Sequence, residues 1–505
     1  MPFVSDIRHA VRMLRRAPAF AAAAILCLAL GTGATTTVIA VVNTLILRPL
    51  PVAHPDDLVM VGSISSGVPL PGDNSYQNYL DVKNTLGDAV AWGIDPVSIR
   101  IGDRSDRRVI QDVSDNYWDM LGVRPALGRM FTSREALARI PVAVVSYRYW
   151  RAPLNADPNV IGRPLVIDGT PYTIEGVAPP GFVGAQPLIV PDAWAPASVL
   201  DPQRLDRRHG GGFKIMGRLR AGMSLAAARR ALDGLGTQLQ HQYPVENEGT
   251  RFVVERELRS RPDMALSETI PRAALVFVAL TTLVLLIACA NVASLMLARA
   301  SARHTEFAVR GALGAGRARI ILQLLTESMV VAVLGGVVGV ALAFGAAHWI
   351  SGLHLSSTIP LEFDVSLDWR VLATTAGAIM LAAISSGIAP AIRGADPRLS
   401  ETLKEGGRGS GVGRRRRRFH TSLVTTQVAV SFVLLVAAGL FLRSVERARL
   451  VDLGFRQDHG YMATLDVSLA HYDKGRGIQF YYLLLDAMRR LSGVRAAALA
   501  SIVPF

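Results

Sequence analysis

Five long apolar stretches, at residues 20–47, 273–297, 329–350, 371–392 and 423–442, constrain this chain more than any other feature. Each is long enough to cross the roughly 30 Å hydrocarbon core of a bilayer as a helix, and their centres hold no Asp, Glu, Lys or Arg. Half of all residues are apolar, a share that many soluble proteins also have, so the bunching and not the amount assigns these stretches to a membrane. The first stretch is broken in character by Gly31, Gly33 and the run Thr35, Thr36 and Thr37. A signal peptide is its rival reading, because arginines precede it. Apolar character resumes over 38–47, too long for a signal core, so an uncleaved anchor is expected.

The chain carries 54 Lys and Arg against 40 Asp and Glu, a net charge of +14. That excess suggests nucleic acid until its distribution is read. Residues 1–18, 299–328 and 393–422 hold 18 basic and 6 acidic residues, which is 12 of the 14 net charges. Residues 48–272 hold 26 basic and 25 acidic residues and are close to neutral. Basic excess confined to short segments beside apolar spans is the positive-inside bias of cytoplasmic loops, so no nucleic acid is expected as a partner. Residues 351–370 carry one Arg against Glu362, Asp364 and Asp368, as a loop on the other side should. The expected topology is a multi-pass protein of a bacterial inner membrane, with a cytoplasmic N-terminus and residues 48–272 outside.

The expected domains follow from the spans. In residues 1–19, Ile7, Val11 and Leu14 share one helical face and Arg8, Arg12 and Arg15 lie mostly off it, the pattern of an interfacial amphipathic helix; a plain basic tail is the other reading. Residues 20–47 are the first transmembrane helix and 48–272 the extracytoplasmic domain. Residues 273–392 form a block of three transmembrane helices (273–297, 329–350 and 371–392), with 299–327 as its cytoplasmic segment. Residues 393–422 are a basic cytoplasmic linker. Its five glycines between Gly406 and Gly413 read as flexible, and the arginines at 414–418 orient the fifth span at 423–442 and can hold anionic membrane lipid. Residues 443–505 leave the membrane again.

Cys27 and Cys289 both lie in spans, so the outside domain has no disulfide framework and must stand on its core. It reads as mixed α/β. Residues 141–149 are rich in Val and aromatic residues, and 164–167 and 172–177 flank Asp168-Gly169, a dipeptide suited to a tight hairpin. Ser224 can cap a helix on which Ala228, Leu232, Leu235 and Leu239 repeat at helical spacing, with Arg229 and Arg230 turned away. The fold class is an α-helical transmembrane bundle plus a mixed α/β extracytoplasmic domain.

The order of these parts, with several local motifs, resembles permease subunits of ABC transporters of the MacB and FtsX type. In the outside domain the resemblance rests on Asn116-Tyr-Trp-Asp-Met-Leu-Gly-Val-Arg-Pro-Ala-Leu-Gly-Arg129, on Pro141-Val-Ala-Val-Val-Ser-Tyr-Arg-Tyr-Trp150, and on Ile161-Gly-Arg-Pro164 with Gly176-Val-Ala-Pro-Pro-Gly-Phe182. In the membrane half it rests on Asn291, Arg299, Glu306, Arg310, Ala312-Leu-Gly-Ala315, Arg317, Gln323 and Glu327-Ser328. The subtype it is most similar to is the duplicated orphan permease first noted in acidobacteria, in which the unit of span, ectodomain and three spans occurs twice. Asp452-Leu-Gly-Phe455 and residues 481–494 then look like the opening of a second copy; the expectation is a second repeat that is truncated, with a missing half supplied elsewhere as the alternative.

The resemblance implies a MacB-like periplasmic core domain, an FtsX-like permease domain and mechanical transmission across the membrane. No GxxxxGK[ST] phosphate loop occurs in these residues, so ATP hydrolysis is expected from a separate ABC ATPase subunit. No catalytic, cofactor or metal site is expected: no His stands at ligand spacing from another His or Cys, and no nucleophile-elbow signature occurs. In the family, the position of residues 299–327 holds the coupling segment that docks on the ATPase, which directs attention to Arg303, Glu306, Arg310, Leu313, Gly314 and Arg317. A basic loop obeying the charge rule is the plain alternative. Gly335, Gly336 and Gly339 lack side chains and let another helix approach closely. The further partners implied are a second copy, or a pseudo-dimer through a second repeat, and a periplasmic protein. The alternative function is a membrane-anchored regulatory or sensing protein whose ectodomain recruits an envelope partner without transport.

Overall fold

The structure, a computed structural model, describes residues 2–450 except 66–67, 102–103, 187–188, 209, 262, 304–305, 307–308, 310–315, 352–364, 366 and 395–409; beyond 450 it describes 461, 463, 465, 467, 472 and 474–500. In chain order its longer helices are α1 (Pro2–Arg16), α2 (Pro18–Val42), α3 (Tyr76–Leu86), α4 (Leu225–Gln242), α5 (Thr269–Ala302), α6 (Arg317–Ser351), α7 (Trp369–Gly394), α8 (Ser410–Arg449) and α9 (Lys474–Arg489). The chain divides into two compact units. One is built on Met1–Leu45, Thr269–Leu353 and Phe363–Leu450, the other chiefly on Ile46–Glu268.

The first unit is helical. Five helices are long and apolar enough to cross a membrane: α2 with its continuation to Leu47, then α5, α6, α7 and α8. Pro18 opens α2, where its missing N–H costs nothing, and so separates it from α1 at Ala17. The expected break at Gly31 to Thr37 does not occur, because α2 runs through it. The Thr32, Thr35 and Thr37 hydroxyls donate to carbonyls one turn back, at 2.7, 2.9 and 2.9 Å, which satisfies them inside the helix. The glycines serve contact between helices. An added Cβ on Gly31 would meet Ala288 and Leu285 of α5, and one on Gly33 would meet the Gly339 carbonyl of α6 at 3.1 Å.

On α1, Asp6 and Ala10 are buried and Leu14 packs against the helical core, while Val11 is exposed; an ion pair joins Asp6 to α6. Of the linker glycines, Gly411 and Gly413 are helical rather than flexible, because α8 begins at Ser410 and continues through the arginine run; Gly406, Gly407 and Gly409 lie outside the described residues. Extending a helix adds one hydrogen bond per residue without a new nucleus, and Arg is a good helix former. On α5, α8 rests through Phe277 against Phe441, ring centroids 5.9 Å apart, and through Gln427 Nε2, which donates to Asn291 Oδ1 at 2.6 Å.

In the second unit the described residues form one sheet of β1 (Leu58–Ser65), β2 (Val68–Gly72), β3 (Ala89–Trp92), β4 (Asp95–Ile101), β5 (Arg104–Val113), β6 (Leu127–Gly128), β7 (Val142–Val145), β8 (Pro164–Ile167), β9 (Thr170–Val177), β10 (Ala193–Pro196), β11 (Lys214–Arg218) and β12 (Arg251–Arg256). Their order is β10-β7-β9-β8-β4-β5-β3-β11-β1-β12, with β2 added to β1 and β6 to β9. The β8–β9 hairpin turns on Asp168 (φ 44°) and Gly169 (φ 78°), the two positive values that a type I′ turn requires. Asp168 also accepts from the Ser98 N–H at 2.7 Å.

The motifs that carry the family resemblance are packing devices. Trp118, on the short helix Tyr117–Leu121, meets Phe131 and Trp194 edge-on at 5.9 and 5.6 Å, and Trp194 Nε1 donates to buried Gln111 at 2.8 Å. The Ser224 side chain caps α4 by accepting from the Ala227 N–H at 3.2 Å, and Ala228, Leu232, Gly236 and Leu239 are buried beneath the helix. Arg229 does not turn away. It donates to the Val254 carbonyl at 3.0 Å and pairs with Glu255, so its long stem covers the edge of β12.

Candidate functional site

The chain between α5 and α6 is the segment the sequence singles out, and its described residues sit among clasps. Arg303 follows α5 directly. Its Nε and Nη2 donate to the two Glu306 carboxylate oxygens at 2.8 and 3.0 Å, and its Nη1 donates to both oxygens of Glu327 on α6 at 3.2 Å. Gln323, one turn before Glu327, donates to the same carboxylate at 3.3 Å. Burial alone would lower the Arg303 pKa, but Glu306 and Glu327 outweigh it and raise it above its ordinary value. The guanidinium therefore ties the end of α5 to α6, 24 residues on, with charge-assisted bonds.

Two more arginines reach α1. Arg299 donates to the Met13 carbonyl at 2.9 Å and lies 4.6 Å from the centroid of the Phe20 ring. Arg319 makes a two-point pair with Asp6 at 2.7 and 2.6 Å, and the Asp6 side chain is only 7% exposed. Ala10, Met13, Phe20, Arg299, Arg303 and Glu327 line a space of about 20 Å³ between these helices, room for roughly one water.

Of the residues expected to form the coupling surface, Arg303 and Glu306 are brought together, facing each other. Arg317 opens α6, and Arg310, Leu313 and Gly314 lie outside the described residues. Val309, from the same segment, is 54% exposed. On α6, an added Cβ on Gly335 would meet Leu28 and the Ile25 carbonyl of α2, one on Gly336 would meet Ile379 of α7, and one on Gly339 would meet Thr32, the Ala29 carbonyl and the Gly33 nitrogen of α2. Sequence reasoning missed Asp6. The signal was there, since it is the sole acidic residue among the first 18, where four arginines stand.

The sheet unit holds a cavity of about 500 Å³ lined by Met60, Trp92, Lys214, Glu257, Arg261 and Met264, among others. Its charges are used internally. Lys214 bridges Asp73 and Asp263 at 3.1 and 2.7 Å, and Glu257 pairs with Arg261. Burial works against the Lys214 charge, but the two aspartates outweigh it and raise its pKa. Among the described residues no group of three His, Cys, Asp or Glu could hold a metal ion. What the arrangement offers is mechanical connection between helices.

Two regions of the chain match known families. Residues 21–235 match the MacB-like periplasmic core domain and residues 278–396 the FtsX-like permease C-terminal domain. Macrolide export ATP-binding/permease protein MacB of Burkholderia lata is 25% identical over 237 residues, 47% of this chain and 33% of that protein. The protein of the same name from Bdellovibrio bacteriovorus is 26% identical over 265 residues, 52% of this chain and 39% of its own. The chain thus spans well under half the length of these curated relatives. Among solved structures, the periplasmic region of MacB from Actinobacillus actinomycetemcomitans aligns at 14% identity and TM-score 0.31, covering 44% of this chain and 93% of that one. The extracellular domain of the noncanonic ABC-type transporter YknZ from Gram-positive bacteria aligns at 12% and 0.31, covering 39% and 99%.

A bundle of apolar helices carrying a large α/β periplasmic domain, with both regions matched in this order, defines a permease-type protein of a bacterial inner membrane. In both regions the chain is similar to permeases of the MacB/FtsX-like ABC transporter family.

Proposed function

We propose that this chain is the membrane subunit of an ABC transporter that takes up the cycle of a separate ATPase through residues 299–327 and passes it to the periplasmic domain. The cytoplasmic N-terminus and the orientation of the loops belong to this reading and rest on the charge distribution. The observation that carries it is the pairing of a MacB-like core with an FtsX-like domain on a stretch of chain that has no phosphate loop. The relatives combine ATP-binding and permease parts in their names, and this chain matches part of their length. The function is transmission of movement, serving export or the action of the periplasmic domain on a partner.

The docking test is Val309→Asp. Val309 is an exposed apolar side chain in the segment, and an aspartate forced into a closing apolar contact would be desolvated without a partner. Such burial costs about 1–3 kcal/mol or more, so recovery of the ATPase with the tagged chain should fall by roughly tenfold or more. Val245→Asp, at an 80% exposed site of the sheet unit, is the control. Equal ATPase recovery with both variants would remove the segment from the docking surface.

A further inference from the structure

Two arginines of the coupling segment, Arg299 and Arg319, are committed to α1, an element the sequence presents as a separate surface helix. Arg319, near the start of α6, holds Asp6 by two charge-assisted bonds. Arg299, near the end of α5, holds the Met13 carbonyl and covers Phe20. Asp6 and Met13 lie two helical turns apart on α1, about 10 Å along its axis. One turn of α1 is thus fastened to α6 and another to α5, the two helices that residues 303–316 join in sequence. After the break at Ala17, α1 continues as α2, whose chain runs on into the sheet unit.

We infer that α1 is a strap that fixes the spacing of α5 and α6 and carries displacement of the segment between them into α2, with Asp6 as its positioning residue. The inference rests on the proposed coupling role of residues 299–327. Asp6 suits the task because its carboxylate is nearly out of water, where an unpartnered charge is costly, so it cannot let go of Arg319 cheaply. Arg12, Arg15 and Arg16, on the exposed face of α1, are available to a protease once the strap opens.

The test uses the full chain in lipid nanodiscs with an N-terminal epitope tag, and compares Asp6→Asn, Arg319→Gln and the reciprocal pair Asp6→Arg with Arg319→Asp. Tag loss to trypsin reports opening of α1. Each single variant should lose the tag about tenfold faster, as expected when a bond to a charged group is removed, and the reciprocal pair should restore protection. Equal rates in all four proteins overturn the strap. A second arm takes the same proteins purified with their ATPase and follows the ATP-dependent change in proteolysis of the periplasmic domain. Asp6→Asn should keep the ATPase bound yet lose that change, and the reciprocal pair should regain it; an unaltered ATP response in Asp6→Asn overturns the relay. Failure of the wild-type chain to retain any ATPase would sink the coupling reading, while the first arm still decides the strap.

Discussion

Adding a single carbon atom at Gly339 should separate two helices that the same carbon six residues later leaves untouched. An added Cβ at Gly339 lies 3.0 Å from the Ala29 carbonyl oxygen and 3.0 Å from the Gly33 nitrogen, and closer still to the Thr32 hydroxyl. Two of these obstacles are backbone of α2, and the Thr32 hydroxyl is held by its bond to the Leu28 carbonyl at 2.7 Å, so nothing there can swing aside. Gly345, on the same helix, has nothing within 4 Å of its added Cβ. Gly→Ala in a helix is worth about 0.5–1 kcal/mol in favour of Ala, but that gain is common to both sites and cancels in their difference. What remains is the overpacking term, typically about 1–3 kcal/mol, or roughly a fivefold to more than hundredfold change in the folding ratio. Thermal unfolding of the full chain in detergent, comparing Gly339→Ala with Gly345→Ala, measures it. Should the two variants melt together, the close crossing of α2 and α6 is wrong and the glycine argument falls with it.

Two further outcomes follow from polar contacts. Glu135 is held below its ordinary range, from 4.5 to about 2, first by the Arg129 guanidinium and then by the Thr132 N–H and hydroxyl of its capping box, against the opposing effect of burial. A depressed carboxylate adds stability that is complete above pH 4.5 and is lost as pH falls towards 2, so the melting temperature of the wild type should drop more steeply than that of Glu135→Gln across that window; parallel curves would contradict it. Gln427→Leu removes the amide pair that joins α8 to α5, a bond of a kind worth about 0.6 kcal/mol on average in membranes, so cross-linking between cysteines placed at 277 and 441 should fall roughly threefold, and unchanged cross-linking would show that the amide pair does not seat α8.

Local signals in the sequence were strong where one residue type had one use. Asp168-Gly169 leaves few options besides a primed turn, and the β8–β9 hairpin has it. Ser224 before an apolar repeat reads as a cap, and it is one. The class of fold, apolar helices plus an α/β domain, follows from bunching and periodicity alone. The failures share a cause too. Gly31, Gly33 and the threonines carry low helix propensity, which is a statement about water; among packed helices the hydroxyls find carbonyls one turn back and the glycines become contact points. The order of the strands, with β11 between β3 and β1, depends on pairing across more than a hundred residues, which no local pattern encodes.

Arginine is the residue whose meaning the sequence left open, and the reason is degeneracy. Charge on one side of a membrane orients a chain whatever that charge touches, so Arg299, Arg303 and Arg319 satisfy the positive-inside rule and remain free to do something else as well. Their partners separate the uses. Arg319 finds Asp6 across 313 residues of chain and Arg303 finds Glu327 across 24, distances at which spacing rules are silent. The same degeneracy decides how docking should be probed. Reversing Glu306 would repel an ATPase that approaches it, but it would also strip Arg303 of one of its two carboxylates and leave a half-buried guanidinium facing a new cation. Loss of association in Glu306→Lys would then report either event. Val309 has no such second duty among the contacts described, so a defect in Val309→Asp with intact clasps at 303, 319 and 327 speaks for docking more directly than a defect at 306 does.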